Sequence, residues 1–217
     1  MKILVIAPHP DDEVLGCGGT IARHSKTGDA VYLCVATKAY TPDWSSEFLK
    51  NRVKEVAASN KVLGIKKTFY LDFPTVKLDT FPQRDLNAAL AEVVGKIKPD
   101  VVYIPHKGDL NTDHRLVFES ALVAVRPLKH IVKRVLAYET PSETEWGEPI
   151  GSFSPNVFVD ISSTFNKKVA AMKAYKSELK KIPHPRSLGN IGALAKVRGA
   201  AAGLKMAEAF MLVREVV

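Results

Sequence analysis

The chain has 217 residues, 46% hydrophobic and 25% charged, a balance that suits one soluble globular domain and excludes a disordered chain. Its 31 basic and 23 acidic residues leave a formal charge of +8, so nucleic-acid binding stands as a rival reading until the charges are placed. The two cysteines, Cys17 and Cys34, lie on separate apolar segments, which excludes a disulfide framework and makes a reducing cytoplasm the default expectation.

In chain order, Lys2–Ala7 is a continuous apolar run. It reads as a strand covered on both faces and not as a signal peptide, and no stretch approaches the ~18 apolar residues of a membrane helix. Gly16–Ser25 has helical spacing, and Ala30–Thr37 forms a second strand. Ser46–Leu63 repeats with helical period and stops at Gly64, a C-terminal signal. Thr68–Phe73 is the third strand, and Arg84–Ile97 is an amphipathic helix ending before Pro99. The buried strand Val101–Pro105 runs into the polar loop His106–Asp113, followed by a helix from about His114 to Val125. Arg134–Glu139 and Val157–Ile161 complete the run of strands.

Between Thr164 and Arg186 stand Lys167, Lys168, Lys173, Lys176, Lys180, Lys181 and Arg186 against the single acid Glu178. This predicts a water-facing helix capped by Ser162 or Ser163, without the interleaved aromatics that a nucleic-acid platform needs. Ala193–Ala209 reads as a close-packed helix and Phe210–Val217 as a returning strand. Alternating strands and helices without repeat or linker predict one α/β domain over residues 1–217, doubly wound around a mostly parallel sheet.

In such sheets ligands bind beyond the carboxyl ends of the strands, where two polar segments fall. Pro8-His9-Pro10-Asp11-Asp12-Glu13 follows the first strand; Gly108-Asp109-Leu110-Asn111-Thr112-Asp113-His114 follows the strand Val101–Pro105. His9 and Asp12, three apart, project to one side of a helical turn, and His114 reaches the same edge. Two imidazoles and a carboxylate make a three-ligand zinc site with one position open to water, whose pKa zinc lowers to about 7. A carboxylate outside the ligand set must then carry the proton, and Asp11 is the candidate. The alternative roles are structural: Asp11, Asp12 and Asp113 are all placed to cap helices, and Cys17 reads as a small packing residue.

These residues carry a resemblance. APHPDDE after an apolar strand, GCGGT a few residues on, and a distal Asp-His opening a helix resemble the LmbE-like, or PIG-L, family. Its members include deacetylases of mycothiol and bacillithiol synthesis, diacetylchitobiose deacetylase and deacetylases of glycosylphosphatidylinositol precursors. The resemblance spans nearly the whole chain. It implies a Rossmann-like fold and a zinc-dependent deacetylase acting on an N-acetylglucosamine-type sugar or conjugate. It implies His9, Asp12 and His114 as ligands, for zinc or for another divalent metal such as iron, cobalt or manganese, with Asp11 as the general base. Arg52 corresponds to an arginine contacting sugar hydroxyls, the alternative being an ion pair on the helix surface, and Asp113 to a residue orienting a catalytic side chain. A small N-acetylated sugar is the implied partner, with neither nucleic acid nor membrane, and the chain is expected to be a cytoplasmic homo-oligomer, a trimer or hexamer.

One departure stands out. Many members carry a histidine three residues before the distal ligand, to steady the oxyanion or protonate the leaving group, and here that position is Asn111. An amide can donate a hydrogen bond there but no proton. The resemblance points to His184, in Ile-Pro-His-Pro-Arg-Ser, as the replacement, in its own or a neighbouring subunit's site. Residues in Ala39–Trp44 and around Trp146 are expected to line the pocket. The rivals are the same machinery acting on a non-sugar amide, and a non-catalytic sugar- or metal-binding protein.

Overall fold

The computed structural model describes residues 1–128 and 130–217. Seven strands form one sheet in the order β3-β2-β1-β4-β5-β7-β6. The first five, β1 (Lys2–Ala7), β2 (Ala30–Lys38), β3 (Lys67–Pro74), β4 (Val101–Pro105) and β5 (Arg134–Tyr138), are mutually parallel. β7 (Ala207–Glu215) runs antiparallel between β5 and β6 (Val157–Asp160). Among the described residues, six α-helices cover the faces: α1 (Asp12–Lys26), α2 (Ser46–Leu63), α3 (Gln83–Ile97), α4 (Thr112–Ala124), α5 (Phe165–Ala174) and α6 (Leu188–Ala201).

The pleat divides the core. Ile3, Val5 and Ala7 of β1 pack with residues of α1, α2, α5 and α6, whereas Leu4 and Ile6 pack with those of α3 and α4. That two-sided burial is why the inner strands read as continuous apolar runs. β1 pairs with β2 on one side and β4 on the other, and the helices that follow β1 and β4 leave to opposite faces. This is the point where strand order reverses, and in open α/β sheets the crevice there receives ligands.

Helix boundaries follow local chemistry. Ser45 accepts the Phe48 amide to start α2, and Gly64 closes it in the left-handed region at φ 76°. Ser187 accepts the Asn190 amide and starts α6 at Leu188, five residues earlier than the Ala/Gly pattern predicts. That helix stops at Ala201, and β7 begins at Ala207, inside the predicted helix. A side chain at Gly199 would meet Leu204 O at 2.7 Å, so the backbone doubles back against the helix itself.

The basic helix also differs from expectation. It ends at Ala174, and its N-cap is Thr164, whose hydroxyl donates to Gly19 O (2.8 Å) and forms no cap; neither Ser162 nor Ser163 caps it. Nor does every cation on it face water. Lys168 is 5% exposed, pairs with Glu208 at 2.6 Å and donates to Leu15 O (2.7 Å). Glu208 in turn accepts the Gly19 and Thr20 amides, gripping α1 in mid-helix.

Candidate metal centre and active site

The loop after β1 delivers His9, the first residue of α1 is Asp12, and the first turn of α4 delivers His114. Asp12 Oδ2 lies 3.3 Å from His9 Nδ1 and 3.3 Å from His114 Nε2, and those two nitrogens are 3.3 Å apart. Bonds of ~2.0–2.1 Å at tetrahedral angles place ligand atoms about 3.3–3.4 Å from one another, so this triangle has the dimensions of three corners of a zinc tetrahedron. Asp12 Oδ1 is buried without a hydrogen-bond partner, an orphan that a cation beside the carboxylate would satisfy. Among the described residues this is the one group of histidine, cysteine and acidic side chains with metal-binding geometry.

Both imidazoles are oriented through their other nitrogen. His9 Nε2 donates to Asp113 Oδ2 (3.0 Å), and His114 Nδ1 donates to Asp109 Oδ2 (2.8 Å), which leaves Nδ1 and Nε2 respectively facing the triangle. Asp113 is fixed by the Val76 amide (2.7 Å), and Asp109 by the Thr144 hydroxyl (2.6 Å). Burial alone would lower the histidines. The bond to Asp113 and the charge of Asp12 outweigh it at His9, raising it to about 9; the charge of Asp12 and the bond to Asp109 raise His114 to about 10. Burial pushes Asp12 the other way, but the two histidines hold it well below the usual carboxylate range. Three acids around two imidazoles thus build a pocket that favours positive charge.

Asp11 occupies the N-cap position of α1 yet its side chain makes no cap bond. Its backbone sits at φ 122°, a conformation rare for a residue with a Cβ. The carboxylate instead meets Arg186 Nη1 at 3.1 Å. Burial and the neighbouring Asp12 raise its pKa well above the ordinary value, against the pull of Arg186. Glu13 is fully buried, accepts the Asp11 amide at Oε2 (3.0 Å) and the Tyr175 hydroxyl at Oε1 (2.6 Å), and is pushed by burial up to about 7.

A cavity of about 200 Å³ opens over these groups, lined among others by His9, Asp11, Asn111, Trp44, Arg52 and Arg186. Asn111 caps α4 by accepting the Asp113 amide through Oδ1, so its NH2 is the part left for a ligand. Arg52 donates to Pro10 O (3.1 Å) and to Glu178, with Glu55 3.9 Å away. Trp146 is 68% exposed and is not part of the cavity wall.

His184 does not line this cavity. Its Nδ1 accepts the Arg186 amide (3.1 Å), so within one chain the turn Pro183–Pro185 serves to project Arg186 inward. Arg186 then joins Asp11, Glu143 (3.3 Å), Glu178 (3.4 Å) and Ser142 (2.8 Å). Glu178, Arg186 and Asp109 are the site residues that sequence reasoning missed. Asp109 was visible, five residues before His114 in the same polar loop, whereas Glu178 and Arg186 were hidden in a run read as solvated surface.

A doubly wound α/β domain with a His-Asp-His triangle at its switch point, and a detached carboxylate beside it, has the form of a metal-dependent hydrolase. The PIG-L family model, described as GlcNAc-PI de-N-acetylase, matches residues 4–125, and the chain belongs to that family. An uncharacterized deacetylase of Escherichia coli, YaiS, is 33% identical over 181 residues, covering 81% of this chain and 90% of that protein. Diacetylchitobiose deacetylase of Thermococcus kodakarensis is 30% identical over 194 residues, covering 82% and 70%. The crystal structure of the conserved protein TT1542 from Thermus thermophilus superposes with a TM-score of 0.82 at 28% identity, covering 99% of this chain and 96% of that one.

Proposed function

We propose that the chain is a zinc-dependent deacetylase that hydrolyses the N-acetyl group of an N-acetylglucosamine-type sugar or conjugate. The observation that carries this reading is the 3.3 Å triangle of His9, Asp12 and His114 with the carboxylate of Asp11, outside the ligand set and not used as a helix cap, beside it. His9, Asp12 and His114 would hold the metal; when bound, it polarises the amide carbonyl and makes water more acidic.

Asp11 accepts a proton from the attacking water and passes it to the departing nitrogen, leaving acetate and a free amine. A carboxylate whose pKa lies above the usual range is suited to both halves of that exchange. Asn111 lines the cavity, and its NH2, not used in the helix cap, donates to the developing oxyanion. Arg186 keeps Asp11 oriented, and Trp44, Arg52 and Glu178 offer the sugar an aromatic face and hydrogen bonds for its hydroxyls. A base placed outside the ligand set disfavours a purely binding role, because binding requires none. The diacetylchitobiose deacetylase relative supports the sugar as substrate class.

The test is acetate release from N-acetylglucosamine, diacetylchitobiose and N-acetylglucosaminyl-malate, with zinc-loaded and with chelated protein. Release from at least one, lost on chelation and restored by zinc, is the expected result. Release indifferent to chelation would overturn the metal-dependent reading. Stoichiometric zinc with no release from any of the three would move the substrate to a different amide.

A further inference from the structure

The geometry points to Glu13 as the residue that positions Asp11, by holding the Asp11 backbone in the left-handed conformation that turns its carboxylate away from the helix and into the cavity. This rests on Asp11 being the proton carrier. An aspartate at an N-cap ordinarily has an extended backbone and spends its side chain on the amides of the first turn. Asp11 does neither: φ is 122°, ψ is −26°, and no cap bond is made. A non-glycine residue stays in such a conformation only where its surroundings compel it.

Glu13 Oε2 accepts the Asp11 N–H at 3.0 Å, which fixes the peptide plane that enters the strained residue. Glu13 is itself immobile, being fully buried and anchored at Oε1 by the Tyr175 hydroxyl at 2.6 Å. Tyr175 belongs to the end of α5 and is also fully buried. A rigid path therefore runs from α5 through Tyr175 and Glu13 to the Asp11 amide. Glu13 touches none of the cavity, so it acts only through Asp11. Without it, the Asp11 backbone relaxes to negative φ and the carboxylate swings to cap α1.

The experiment compares Glu13→Ala, Glu13→Gln and Asp11→Asn, on a substrate that wild type turns over, together with amide hydrogen exchange at residue 11 in the metal-free proteins. Misplacing a catalytic group by about an ångström costs on the order of 100-fold in rate. Glu13→Ala should therefore lose about 100-fold in kcat with KM and zinc stoichiometry kept, and the residue-11 amide should exchange faster. Glu13→Gln, whose carbonyl oxygen still accepts that amide, should recover most of kcat and of the protection. Should Glu13→Ala fail to fold, Tyr175→Phe frees the anchor without emptying the site and should show the same faster exchange with a smaller kcat loss.

Unchanged kcat or unchanged exchange in Glu13→Ala would overturn the proposal. So would zinc loss in parallel with kcat, which would make Glu13 part of the metal centre's scaffold. Asp11→Asn separates the two ideas: if it keeps wild-type rate, the proton-carrier reading fails, while the exchange data still report on the clamp.

Discussion

His9 and His114 each give one nitrogen to a carboxylate and turn the other toward Asp12, so in the metal-free protein both hold a second proton at neutral pH. With pKa values raised to about 9 and about 10, zinc uptake at pH 7 must expel those protons, since a metal needs the bare lone pair. About two protons should leave per zinc at pH 7, and zinc affinity should fall as pH is lowered. Calorimetry in buffers of different ionisation enthalpy measures both; uptake without proton release would show that the imidazoles are not the ligands. Asp11→Asn should bind zinc like wild type and lose on the order of 100- to 10,000-fold in kcat, as removal of a proton carrier does. The ligands were legible in the sequence because all three fall in the two polar segments that follow β1 and β4 and open the next helices. Glu178 and Arg186 were not, because α5 ends at Ala174 and the chain beyond it turns two residues of a basic run into the cavity. Nor was Asp11's freedom legible, since any aspartate before a helix reads as a cap.

Helix α1 carries Asp12 and Glu13 at its start and packs tightly along its length. A Cβ at Gly19 would meet three atoms of Ile161 at 2.7–2.9 Å. Alanine gains up to about 1 kcal/mol over glycine in a helix, but overpacking a core costs about 1–3 kcal/mol. Gly19→Ala should therefore destabilise the protein, read as a lower urea midpoint; a higher midpoint would mean that Ile161 yields. Most elements were legible because buried strands alternate with amphipathic helices. The C-terminal pair was not: Ala193–Ala209 is rich in alanine and glycine, so neither the helix start at the Ser187 cap nor its end at Ala201 shows in the periodicity. The helix ends where Gly199 meets the backbone of Leu204 and Met206, a long-range packing event in a short sequence interval.

For the whole domain, metal binding to the native state alone adds RT ln(1 + [L]/Kd), about 2.7 kcal/mol at a hundredfold excess over Kd. In a chain of this size that corresponds to roughly 5–10 °C in Tm. Chelation should lower the melting temperature by that order and zinc should restore it; an unchanged Tm on chelation would argue against a site formed only in the folded protein. Two cations of the basic run, Lys168 and Arg186, are turned inward onto acids and are not open to a phosphate backbone. Binding to arbitrary DNA should accordingly lack the steep salt dependence of a phosphate-tracking surface. No described helix is long and apolar enough to cross a membrane.

The grip of Glu208 and Lys168 on α1 has a consequence in time. The helix that presents Asp12 and Glu13 is synthesised long before its partner, since the carboxylate accepting its Gly19 and Thr20 amides lies 189 and 188 residues downstream. Contacts so distant in sequence form late, because a long loop must close before they are rewarded. The nascent chain therefore carries its His9 and Asp12 well before it can hold them rigidly, and a tight metal centre should appear only after β7 has emerged and docked. Ribosome-bound chains halted before residue 208 should take up zinc weakly, and those released past Glu215 tightly.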